Sequence, residues 1–122
     1  MAYSDNINTA LAGLQNQNPD YFSQLKGMLL EIATALVVID GGPSGPALKQ
    51  FANGSSLENI SMWVDLKPQL VAVQVILADA GATVTTLDSL LQPIPTGDGK
   101  VYSDQLKPVM SEIASLLAFF GQ

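Results

Sequence analysis

The chain has 122 residues, 48% of them hydrophobic and 13% charged, with a formal net charge of −6 and neither cysteine nor histidine; arginine is absent too. These values exclude a disulfide framework and a thiol nucleophile, leave no thiolate or imidazole for a zinc site, and oppose binding to a phosphate backbone, which needs cations gathered on one face. A chain of this length can bury about two-thirds of its surface, enough for one helical domain over 1–122 with a real core.

Ser4 or Asp5 is placed to cap a first helix, in which Ile7, Ala10, Leu11 and Leu14 recur at helical spacing. The polar run Gln15–Asn18 ends it, and Asn18-Pro19-Asp20 has the cap, first-turn proline and dipole-favoured acid of a new start. From Pro19 to Ile39 the stripe Phe22, Leu25, Leu29, Ile32, Leu36 and Ile39 predicts a long helix that is apolar over most of its circumference.

Asp40 to Pro46 mixes glycine with proline and predicts a loop, followed by a short helix over Ala47–Asn53 and a stop at Asn53-Gly54. Ser55 or Ser56 caps the next segment, with Leu57, Ile60, Trp63 and Val64 on one side; Lys67-Pro68 then bends or restarts the chain, with Asp65 as cap. Leu66, Leu70, Val73 and Leu77 keep the helical period, so a second apolar rod is predicted over a β-strand despite its branched residues. A shorter helix covers Thr83–Leu91. The stretch Gln92 to Lys100, which admits a small hairpin, is the expected contact loop, with Ile94, Val101 and Tyr102 as its interface residues. Ser103 or Asp104 caps the last helix, in which Leu106, Val109, Met110, Ile113, Leu117 and Phe120 line one face.

The fold class expected is therefore all-α: a compact bundle of about three long helices plus shorter ones. Gln24-Leu25-Lys26 and Gln105-Leu106-Lys107 open matching stretches that share Glu31/Glu112, Ile32/Ile113, Ala33/Ala114 and Leu36/Leu117, and Leu66-Lys67-Pro68 opens a third helix midway. The spacing, about 40 residues, is that of helical repeat units.

No motif carries a chemistry. Gly41 to Pro46 lacks the lysine and hydroxyl of a phosphate loop, Gly97-Asp98-Gly99-Lys100 lacks the acidic ladder of a calcium loop, and Asp20 with Glu31, Asp104 with Glu112, and Asp79 with Asp88 are spaced as helix caps and solvated acids. Asn53-Gly-Ser and Asn59-Ile-Ser fit the glycosylation tripeptide, a pattern common by chance. The start of the chain shows no basic and apolar leader, and the longest charge-free apolar run, Pro68–Ala78, is about half of what a bilayer span requires. The expectation is no enzyme, cofactor, metal, nucleic acid, small-molecule substrate or membrane span, and a cytoplasmic or virion location.

A surface built of Ser, Thr, Asn and Gln desolvates at lower cost than a charged one, and permanent interfaces are poor in charge. A non-enzymatic structural or assembly protein follows, one subunit of a homo-oligomer or larger complex, with two sets of candidate contact residues: Trp63, for which core packing is the competing and favoured role, and the apolar ending Leu116, Phe119 and Phe120, which either folds back on the core or inserts into a partner. The bulk composition resembles that of tailed-phage virion proteins (capsid, connector or tail), with no motif to name a family. The alternative is a small acidic protein that engages a basic partner, distinguished by weakening as salt rises.

Overall fold

The computed structural model describes residues 2–14, 21–41, 44–92 and 97–122. Among them are six α-helices, one 3-10 turn over Asn59–Ser61 and no strand. The helices are α1 (Tyr3–Ala12), α2 (Phe22–Asp40), α3 (Ser44–Gly54), α4 (Trp63–Asp79), α5 (Thr85–Leu90) and α6 (Ser103–Phe119). The fold is all-α, with three long helices and three shorter ones among the described residues. The segments expected at Gln15–Asp20 and around Ile94 lie outside the described residues.

Several boundaries move for local reasons. Helix α4 starts at Trp63, ahead of the expected cap Asp65, because Met62 is held extended and the Trp63 N–H donates to the Gly99 carbonyl at 2.9 Å. It then runs through Pro68 without restarting, at the cost of the hydrogen bond that residue 68 would donate to the Val64 carbonyl. Helix α6 is capped by neither Ser103 nor Asp104. Ser103 is its first, fully buried residue, and the Gln105 carboxamide oxygen accepts the Tyr102 N–H at 2.9 Å. The described end of the 92–100 loop forms no hairpin with itself; Lys100 makes an isolated antiparallel bridge with Met62.

The sequence repeat coincides with structure. Leu25, Leu66 and Leu106 are each the fourth residue of a long helix, and a lysine follows each. The buried positions then match down all three: Leu25, Leu29, Ile32 and Leu36 in α2; Leu66, Leu70, Val73 and Leu77 in α4; Leu106, Met110, Ile113 and Leu117 in α6, none more than 1% exposed. Short helices α1 and α3 each contribute a buried pair one turn apart, Ile7 with Leu11 and Leu48 with Ala52, and α5 contributes Leu87, one turn before the buried Leu91 that caps its C-terminus. Each long helix stops at a glycine in the left-handed region, Gly41, Gly81 and Gly121. After α4 and α6 the stop is the same motif: the Ala82 N–H reaches the Leu77 carbonyl at 3.0 Å, and the Gln122 N–H reaches the Leu117 carbonyl at 2.9 Å.

A short helix precedes each long one, which makes three short-long units in chain order, α1 with α2, α3 with α4 and α5 with α6, although their packing differs: α3 lies mainly on α2, whereas α5 lies on α6. Helix α3 packs on α2 of the preceding unit as well as on α4 of its own, and α1 packs on both α2 and α6, so the third unit closes on the first. The Ser4 N–H seals this junction by donating to the Gln122 carbonyl at 2.8 Å. The buried side chains form one hydrophobic cluster between the long helices.

Candidate functional site

The three long-helix N-termini meet at one end of the molecule. The Tyr21 hydroxyl donates to the Val101 carbonyl, the Val101 N–H donates to the Ser61 carbonyl at 2.8 Å, and Trp63 and Gly99 are joined as above. Burial, with a smaller push from the Asp104 charge, raises the Tyr21 phenol well above its ordinary value. The Tyr102 hydroxyl lies outside this knot and donates to Asp98 at 3.0 Å; that bond and the carboxylate's charge raise it as well.

The expected interface residues divide accordingly. Val101 is 1% exposed and ties the knot through its backbone, so it belongs to the interior of the single chain. Trp63 is also buried, yet its edge lines a surface cleft. Leu116 is buried with Leu117, whereas Phe119 is 71% exposed; its ring meets Phe120 edge-on at 5.1 Å, and Phe120 packs on the core. The apolar ending is thus core on one side of the helix and free surface on the other. Tyr102 is half-buried, and Ile94 lies outside the described residues.

The acids are dispersed. Glu31 accepts from the Asn6 carboxamide at 3.2 Å, and Asp88 accepts from Gln74 of α4 at 3.2 Å. Among the described residues no group of three His, Cys, Asp or Glu side chains is placed to hold a metal ion. Helix α2 has the length and apolarity to cross a bilayer, even though Lys26 and Glu31 interrupt its apolar run. In this fold its stripe from Leu25 to Leu36 is covered by neighbouring helices, while Val37 and Val38 are exposed.

The surface that stands out is the outer face of α4. At 100° per residue Val64, Pro68, Val71 and Val75 fall in one line, opposite Leu66, Leu70, Val73 and Leu77. Val64 is 76% exposed and Val75 52%, and Pro68 and Val71 are exposed between them. The N-terminal end of this line opens into a cleft of about 680 Å³ between α4 and the Gly99 turn, walled by Met62, Trp63, Val64, Pro68 and Val71. Lys67 is the one charged residue among those lining it.

No family model matches the chain, and comparison with curated proteins and with solved structures finds no match.

The internal repeat supplies a comparison of its own. The positions equivalent to Val71 and Val75 are Ser111 and Ser115 in α6, both exposed, and Leu30 and Thr34 in α2, of which Leu30 is half-buried and Thr34 exposed. The position of Val64 is taken by Ser23 in α2 and Asp104 in α6. The same architecture therefore forms with polar residues at most of these sites, and the valines of α4 are not required by the packing of the long helices. Core periodicity alone hides this stripe because both faces of α4 are apolar. The signal was available in Val64, Pro68, Val71 and Val75 as a second line at helical spacing.

Proposed function

We propose that this is a non-enzymatic assembly protein that works through protein-protein contacts, with the α4 stripe as its contact surface. The observation that supports the reading most directly is the row of exposed valines, Val64, Val71 and Val75, where the sister helix α6 carries Asp104, Ser111 and Ser115. Apolar side chains in water at sites where the fold accepts polar ones are a cost unless a partner covers them. Covering the exposed part of each would contribute about 1 kcal/mol at the usual coefficient for apolar area, and the cleft beside Trp63 adds a concave anchor point.

The surroundings suit a contact that persists. Charged residues are 13% of the chain, against roughly a quarter in an average domain, so little charge has to be stripped of water when the surface is covered. The setting in which a small, charge-poor helical subunit of this kind serves best is a large repeated assembly, and a virion component (capsid, connector or tail) is the form of it that the composition suggests.

The test is sedimentation velocity over a concentration series, comparing the natural chain with one carrying Val71→Ser and Val75→Ser together, the residues found at the matching sites of α6. Association that strengthens with concentration in the natural chain and weakens in the double variant, with far-UV circular dichroism unchanged, supports the reading. An identical mass distribution for the two removes the stripe as a surface for self-association.

A further inference from the structure

We propose that copies of this chain associate head to tail, with the exposed Phe119 of one copy seated in the α4 cleft of the next. This rests on the α4 stripe being a contact surface and supplies its occupant.

Three observations select a second copy in that orientation. The first is shape. Phe119 stands 71% exposed at the end of α6, where its ring meets the core-packed Phe120 edge-on, and an aromatic side chain has few rotatable bonds to immobilise on docking. The cleft, an open depression of about 680 Å³ walled by Met62, Trp63, Val64, Pro68 and Val71, has room for an aromatic ring and offers it apolar side chains.

The second is position. The cleft lies at the end where the long-helix N-termini are tied together, and α6 starts from that same end. Its 17 residues then carry Phe119 about 25 Å away. A rigid helix cannot bring that ring back to the cleft of its own chain, so the ring is available only to a neighbour.

The third is charge. Phe119 sits at the C-terminal, negative pole of α6, whose last turn carries no basic residue. The cleft sits at the N-terminal, positive pole of α4 and carries Lys67, against which the same end of the helix sets one acid, Asp65. Head-to-tail docking joins unlike poles. A head-to-head pair would set one Lys67 against another, and a tail-to-tail pair would join two negative poles. A contact between two different surfaces of one chain is heterologous, so a joined pair keeps one free cleft and one free Phe119 between them, and the result is a ring or a filament.

Mixing experiments test this. The natural chain, Phe119→Ala, Val64→Glu and an equimolar mixture of the two variants are followed by sedimentation velocity, with circular dichroism confirming the fold of each. The natural chain should grow beyond a dimer with concentration, and each variant alone should associate roughly tenfold more weakly or less. The mixture should recover association but stop at dimers, because one variant retains the cleft and the other retains Phe119. Phe119→Leu, which keeps an apolar side chain, should fall between. A natural chain that stays monomeric at several hundred micromolar overturns the proposal, as does a mixture no more associated than its components. If Val64→Glu weakens association and Phe119→Ala does not, the head-to-tail arrangement is wrong while the α4 contact surface stands. If neither variant changes the mass, both readings fall.

Discussion

Tyr21 donates its phenolic hydrogen bond to the main-chain carbonyl of Val101, across 80 positions of sequence and inside the core. The bond fastens the start of α2 to the segment that leads into α6, and that segment is itself paired with the start of α4 through Ser61. Replacing Tyr21→Phe keeps the ring but leaves the Val101 carbonyl without this donor. The expected loss is about 1–3 kcal/mol of unfolding free energy at neutral pH, read from urea denaturation.

The same phenol makes stability fall at alkaline pH. Burial and the nearby Asp104 hold Tyr21 protonated well above its ordinary 10.0 in the folded chain, whereas the unfolded chain releases that proton near 10. The unfolded state therefore binds fewer protons once the pH exceeds about 10, and stability drops by as much as about 1.4 kcal/mol per pH unit while the folded phenol stays neutral. Below pH 10 the contribution is fully present. Tyr21→Phe should flatten this decline between pH 10 and 11.5, and an equally steep fall in the variant would show that Tyr21 is not its source.

Gly45 is where α3 crosses closest to α2. A Cβ added there would lie 2.6 Å from the Ala33 carbonyl oxygen and 2.5 Å from a methyl of Val37. The carbonyl belongs to the helix backbone and cannot rotate away, so Gly45→Ala should push the helices apart and cost about 1–3 kcal/mol, seen as a lower midpoint in thermal and urea unfolding. Gly54→Ala is the control: its Cβ would meet nothing within 4 Å.

Gly81 and Gly121 end α4 and α6 with positive φ values of 109° and 78° and open space around the missing Cβ. Alanine at either site should cost about 1–2 kcal/mol through backbone conformation alone. Because the two sites do not share packing partners, the double variant should lose the sum to within about 0.5 kcal/mol. A calorimetric series of the two single variants and the double variant checks this.

The Val71→Ser, Val75→Ser chain should unfold within about 0.5 kcal/mol per site of the natural protein, since both side chains reach solvent on the outer face of α4. A loss of several kcal/mol would assign those valines to the core and contradict their exposure.

The sequence by itself determined that this protein is all-α and where its long helices run. Leu25, Leu29, Ile32 and Leu36, with their counterparts in α4 and α6, stand at the one spacing that puts side chains on a single helix face, and that periodicity is a property of the chain alone. The repeat was legible for the same reason, through Leu-Lys steps at Leu25, Leu66 and Leu106. Helix starts were less legible: Trp63 begins α4 because Gly99, far along the chain, accepts its N–H, and no local cap at Asp65 could reveal that.

Only the tertiary structure decided which apolar residues were interior and which were surface. Val101 and Leu116 were expected at an interface and are enclosed, while Phe119, three residues past Leu116, faces water. The two lines of apolar residues on α4 have equal claim to the core when only their spacing is considered, and hydrophobicity carries no sign for inside or outside. What separates them is which neighbours the closed three-unit arrangement places against each face. It brings α3 and the centre of the bundle against Leu70 and Val73 and leaves Val64 and Val75 without cover.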